Sequence, residues 1–117
     1  IKIVSTDFLP DLGTRLENGS IAGESGGHYC DPLYAFMLVY NAIKGNNKDI
    51  ANNFVDIEFP YLYVSSPADY GEYDKYFVKN LPYTKDELID MSKMSIDQLK
   101  ESAAKLSIAD AAARSGK

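Results

Sequence analysis

The stretch IKIVSTDFLPDL, residues 1–12, decides how the rest of the chain is read. Residues 1–5 are an apolar, β-branched run broken only by Lys2, which predicts a strand. No helix cap precedes that run, so the chain reads as starting inside a buried sheet. Asp7 falls just past the strand, and residues 10–18 form a short segment polar on one side, with Gly19 where a helix stops. Residues 21–25 predict a second strand, which runs into Gly26-Gly27. The clearest helix follows. Asp31 is a candidate cap, Pro32 suits the first turn, and Leu33, Phe36, Met37, Tyr40 and Ile43 fall on one face. Lys44-Gly45 ends it. Strand, helix, strand, helix is the rhythm of a parallel sheet with crossover helices.

Downstream, NNKDIANN (residues 46–53) is a polar loop and FVDIEFPYLYVSS (residues 54–66) is extended. Pro60 cannot donate to a ladder, so it marks an edge, a bulge or a change of direction. Capping patterns then recur: Ser66 with Asp69, Thr84 with Glu87, Ser95 with Gln98, and Ser107 with Asp110. The small, polar residues 109–117 are expected to fray. Two strands and a third extended segment are too few for a stable parallel sheet, which is buried on both faces. The expectation is therefore an α/β fold with a partial open parallel sheet and flanking helices, the C-terminal part of a larger protein.

Composition narrows the function. The 117 residues carry a formal charge of −5, with 45% hydrophobic and 25% charged residues. Those proportions are globular. The acidic balance argues against nucleic acid and against an electrostatic grip on anionic lipid. No apolar run is long enough to span a bilayer. One cysteine, Cys30, and one histidine, His28, exclude an internal disulfide and a Cys- or His-rich metal centre. GESGG (residues 23–27) lacks the Lys-Ser/Thr of a phosphate loop and the spacing of a dinucleotide fingerprint, and a hinge is the better account of its glycines. His28 and Cys30, two apart with no orienting third group, do not make a nucleophile and base. Asp69, Glu72, Asp74, Asp86, Glu87 and Asp90 read as a solvated face without the spacing of a calcium loop. Tyr61, Tyr63, Tyr70, Tyr73, Tyr76 and Tyr83 either stack on a sugar ring or cover a core edge.

The order of IKIVSTD, LENGSIAGESGG, a helix closing on NAIKGN, and FVDIEFPYLYVSS resembles the C-terminal portion of type I periplasmic solute-binding proteins of ABC transporters. The effector-binding cores of LacI-type repressors share this portion. The resemblance covers residues 1–66. Residues 65–88, SSPADYGEYDKYFVKNLPYTKDEL, resemble the tail of some sugar-transport binding proteins. The resemblance implies a bilobal periplasmic-binding-protein-like fold with three hinge strands and ligand held between lobes. Residues 1–66 would be its C-terminal portion crossing the hinge, near residues 26–31 and again at Phe59-Pro60, and residues 67–117 a helical C-terminal extension.

At the C-terminal end of a strand in an open α/β sheet, a side chain faces the ligand crevice. A carboxylate at Asp7 offers acceptors to sugar hydroxyls, and the resemblance implies a ligand-binding Asp at this position. The competing role for Asp7 is a helix cap. Asp7→Ala is expected to weaken binding and to leave the melting temperature nearly unchanged if the ligand role holds. The resemblance also implies a second polar contact near Gly26-Gly27. An ungapped match places Gly26 there; His28 stands two residues on and either contacts ligand or bonds backbone. Ser25 and Glu24 are lesser stand-ins. The function so implied is non-catalytic: the solute-binding component of an ABC importer for a sugar-like molecule. It would have no cofactor or metal, would be extracytoplasmic (periplasmic or anchored on a bacterial cell surface), and would dock on membrane permease subunits. The alternatives are the effector domain of a LacI-type regulator and an open α/β enzyme. Open sheet edges also predict self-association.

Overall fold

The computed structural model describes residues 1–26, 30–51 and 54–116. Among them lie a three-stranded open sheet and six α-helices, in the order β1 (Val4–Thr6), α1 (Leu12–Glu17), β2 (Gly23–Gly26), α2 (Asp31–Ile43), β3 (Leu62–Val64), α3 (Pro67–Tyr73), α4 (Lys85–Met91), α5 (Ile96–Ala104) and α6 (Ile108–Ser115). The chain divides into two compact units. One comprises Ile1–His28, Tyr61–Pro82 and Ser107–Lys117; the other comprises Tyr29–Pro60 and Tyr83–Leu106.

The first unit holds the sheet, in the order β1-β2-β3. β1 and β2 pair in parallel, with Val4 opposite Gly23 and Thr6 opposite Ser25. The wholly parallel sheet expected from the sequence is corrected here: β3 runs antiparallel to β2, with Tyr63 opposite Ser25 and Leu62 opposite Gly26. The reason is that a strand's alternation reads the same in both directions. The sense of pairing depends on the end at which the chain re-enters the sheet, which residue types do not encode. Of the extended stretch at residues 54–66 only Leu62–Val64 pairs, and Pro60 precedes the ladder, where its missing N–H costs no ladder bond.

One sheet face is covered. Glu24 on β2 and Leu62 and Val64 on β3 are buried. α1 buries Leu12 and Leu16 and packs against α3. Gly13 makes that packing possible, because a Cβ there would lie 2.7 Å from Tyr70 Cε1. Helix α3 passes directly into a π-helical turn, Asp74–Val78, and Tyr73 and Phe77 stack with ring centroids 5.8 Å apart. Most of the tail is helical. Residues 108–115 form α6, with Ser107 capping its N-terminus through the Asp110 N–H. Arg114 donates to Asp110 Oδ2 at 2.8 Å and to the Pro82 carbonyl at 2.7 Å. Small residues look like a solvated tail in isolation, but Ala111 is buried on α6.

The second unit is built on α2, α4 and α5. Its capping boxes form as the sequence predicts: Thr84 with Glu87 starts α4 and Ser95 with Gln98 starts α5. Two expectations for α2 change. Its N-cap is Cys30, not Asp31, which sits in the first turn where its charge meets the helix dipole. The buried side chains are Tyr34, Met37, Leu38 and Asn41, while Phe36, Val39 and Ile43 are exposed. The helix is apolar around most of its circumference, so periodicity alone cannot select the core face. Polar partners do. Tyr34 Oη lies 2.6 Å from Tyr83 Oη and 2.8 Å from Ser102 Oγ. Asn41 donates through Nδ2 to the carbonyls of Met91 and Met94, each at 3.0 Å.

Candidate functional site

The candidate site is the corner where β1 ends. Asp7 follows Thr6 directly, and its backbone is left-handed, with φ of 69°. Asp is one of the few residues with a side chain that tolerates this region. Its N–H donates to the Ser25 carbonyl at 2.8 Å, so the chain leaves the ladder only after Asp7, and its side chain is exposed. Asp7 does not cap a helix: the N-cap of α1 is Asp11, whose carboxylate accepts from Arg15 Nε at 2.8 Å. The left-handed backbone alters one expectation. Ala is poorly suited to positive φ, so Asp7→Ala carries a stability cost of its own, and Asp7→Asn is the cleaner probe.

Ser25 sits half-buried on the central strand. It lies in register with Thr6 on one side and Tyr63 on the other, so three hydroxyl-bearing residues form a row on one sheet face. A groove of about 420 Å³ follows that face and is lined in part by all three. Gly26, next along β2, lies directly against the turn. A Cβ there would stand 3.1 Å from Asp7 Cα and 3.3 Å from its nitrogen. His28 lies outside the described residues. The structure therefore brings Asp7 and Ser25 together through backbone, at the carboxyl end of the parallel pair.

Three contacts fix the turn after Asp7. The Asp7 N–H bonds Ser25; the Phe8 ring meets Tyr73 edge-on, 4.5 Å between centroids; and the Leu9 N–H donates to Glu24 Oε2 at 3.0 Å. Glu24 is 3% exposed. Its other oxygen, Oε1, is buried and makes no hydrogen bond among the described residues. The sequence offers one signal for this role: a carboxylate at an inward-facing position of a central strand needs a donor.

Other candidates separate into structural roles. Tyr73 and Tyr83 are buried, which fits core cover; Tyr61 and Tyr63 are exposed. Cys30 is buried. Asp69 belongs to a cap, its Oδ2 accepting from the Ser65 N–H at 3.1 Å and the Ser65 hydroxyl at 3.0 Å. Donation from the Ser65 backbone, then from the Ser66 side chain, holds this carboxyl below its ordinary value of 3.8. Among the described residues no group of three or more His, Cys, Asp or Glu side chains is placed to hold a metal, and no helix is long and apolar enough to cross a membrane. No family model, curated protein or solved structure matches the chain.

Proposed function

We propose that the chain is the ligand-binding portion of a solute-binding protein of an ABC importer, taking a sugar or similar polar small molecule without catalysis. The observation that carries this is the placement of Asp7. An exposed carboxylate stands just beyond the carboxyl end of a strand in a parallel pair, where ligands of open α/β sheets bind. Its backbone is held in a left-handed conformation by a hydrogen bond to β2. An ionised carboxylate offers only acceptors, and sugar hydroxyls supply donors. Support also comes from the sequence order of residues 1–66 and from the division of the chain into two compact units. In the same reading the protein acts outside the cytoplasm and delivers its ligand to membrane permease subunits.

The test is calorimetry of the protein against D-ribose, D-xylose, D-galactose and D-glucose. Asp7→Asn replaces one acceptor by a donor and leaves a ligand hydroxyl unpaired, which costs on the order of 1–3 kcal/mol. Affinity should fall by roughly tenfold to a few hundredfold, with the melting temperature of the free protein within about 2 °C of the unaltered chain. Unchanged affinity, or no binding of any of the four sugars, contradicts the assignment.

A further inference from the structure

We propose that Glu24 is a positioning residue: from the core it buckles the turn that presents the Asp7 carboxylate. The inference rests on the solute-binding reading only for its ligand arm. Residues 7–11 link β1 to α1, and the turn is attached to β2 at two consecutive positions. Ser25 takes the Asp7 N–H through its backbone, a bond that any residue at position 25 would make. Glu24 takes the Leu9 N–H through its side chain, and that bond depends on residue type.

The register explains why position 24 does this. Side chains alternate along β2, so Glu24 points to the covered face while Ser25 points to the open one. A glutamate there reaches past the end of β1 to the amide two residues beyond Asp7. Leu12 N–H in turn donates to the Leu9 carbonyl at 3.1 Å, so the Glu24 bond fixes both the turn and the start of α1. Burying a carboxylate for a single amide donor is costly. An apolar residue would suit the covered face better if packing were the only requirement; what Glu24 supplies that an apolar residue lacks is the acceptor for the Leu9 N–H.

Hydrogen exchange of individual amides, followed by NMR, tests this. In the unaltered chain the Leu9 and Asp7 amides should exchange at least about a hundredfold more slowly than in unstructured peptide. Glu24→Met keeps the length and removes the acceptor; both amides should then exchange at least about tenfold faster, with the amides of α5 unchanged as reference. Glu24→Gln still offers an amide oxygen to Leu9 and should stay within about threefold of the unaltered chain. Should Glu24→Met not fold, Glu24→Asp keeps the carboxyl group but falls short by one methylene, and the same rise is expected. An unprotected Leu9 amide in the unaltered chain, or no selective rise in either shortened or apolar variant, overturns the proposal.

The ligand arm uses the four sugars above. Glu24→Met and Asp7→Asn should each weaken binding, and the double variant should be no weaker than the poorer single one, to within about threefold. Additive losses overturn positioning through Asp7. If no sugar binds the unaltered chain, the solute-binding reading fails, and the exchange result decides the role of Glu24 by itself.

Discussion

At the scale of single residues, backbone geometry and hydrogen bonding make separate demands on the same acids. Asp7 occupies left-handed backbone, which glycine adopts freely and alanine does not. Asp7→Ala should cost about 1 kcal/mol, whereas Asp7→Gly should stay within about 0.5 kcal/mol of the unaltered chain; urea unfolding distinguishes them. Asp69 makes a pH prediction. Its folded value lies below the ordinary 3.8 because Ser65 and Ser66 donate to the ionised carboxyl. A lowered carboxyl stabilises the fold above its unfolded value, and that contribution is lost as pH falls through the folded one. Stability should therefore decline as pH drops below 3.8, through the lowered folded value, and Asp69→Asn should flatten that part of the curve while leaving a lower plateau at neutral pH. An unaltered acid slope in Asp69→Asn would show that other carboxylates carry it.

At the scale of elements, local sequence sets where helices begin and tertiary partners set which face they bury. The cap at Thr84 satisfies two backbone donors with Glu87. Thr84→Ala should cost roughly 0.5–2 kcal/mol in chemical denaturation. Asn41 is different in kind. It is fully buried on α2 and satisfies the carbonyls of Met91 and Met94, where α4 ends and the link to α5 begins. Asn41→Ala removes both hydrogen bonds, although the Met91 carbonyl keeps the Met94 N–H and the Met94 carbonyl keeps the Asn47 amide. It should cost on the order of 1–3 kcal/mol, more than Thr84→Ala. If it costs no more than Thr84→Ala, water replaces the amide and the clamp is dispensable. The caps were legible because each is a contact over three residues. Asn41 was not, because its partners lie 50 and 53 residues away, and an asparagine in a helix ordinarily reads as solvent-facing.

At the scale of the whole molecule, the exposed apolar side chains set the behaviour in solution. Ile3 and Val4 stand at β1, an edge strand of the sheet among the described residues, and Phe36, Val39 and Ile43 are exposed on α2; Val4 is 76% and Ile43 78% exposed. A short strand with an unpaired edge and apolar residues is a template for further pairing, and a helix apolar all round is one that normally has neighbours on both sides. The chain should associate with rising concentration in sedimentation velocity, and Val4→Lys with Val39→Glu should suppress that association. A monomer across the range from about 10 µM to 1 mM, where exposed hydrophobic surface promotes association, would contradict the prediction.

Taken by itself, the sequence determined the alternation of strands and helices, the stops at Gly19 and Gly45, the four helix starts from Ser66 onward and the acid that ends β1. Each is a short-range matter of side-chain period, positive φ or a cap reaching three residues along the chain, and such contacts form from neighbours alone. Only the tertiary structure decided the antiparallel sense of β3, the buried face of α2, the docking of α6 and the bond from Glu24 to Leu9. Those depend on residues brought together across long stretches of chain: Glu24 and Leu9 are 15 apart, and Arg114 and Pro82 are 32 apart. Which distant partner a strand edge, an apolar helix or a buried carboxylate meets is fixed by the packing of the whole chain, where one residue type serves several arrangements equally well.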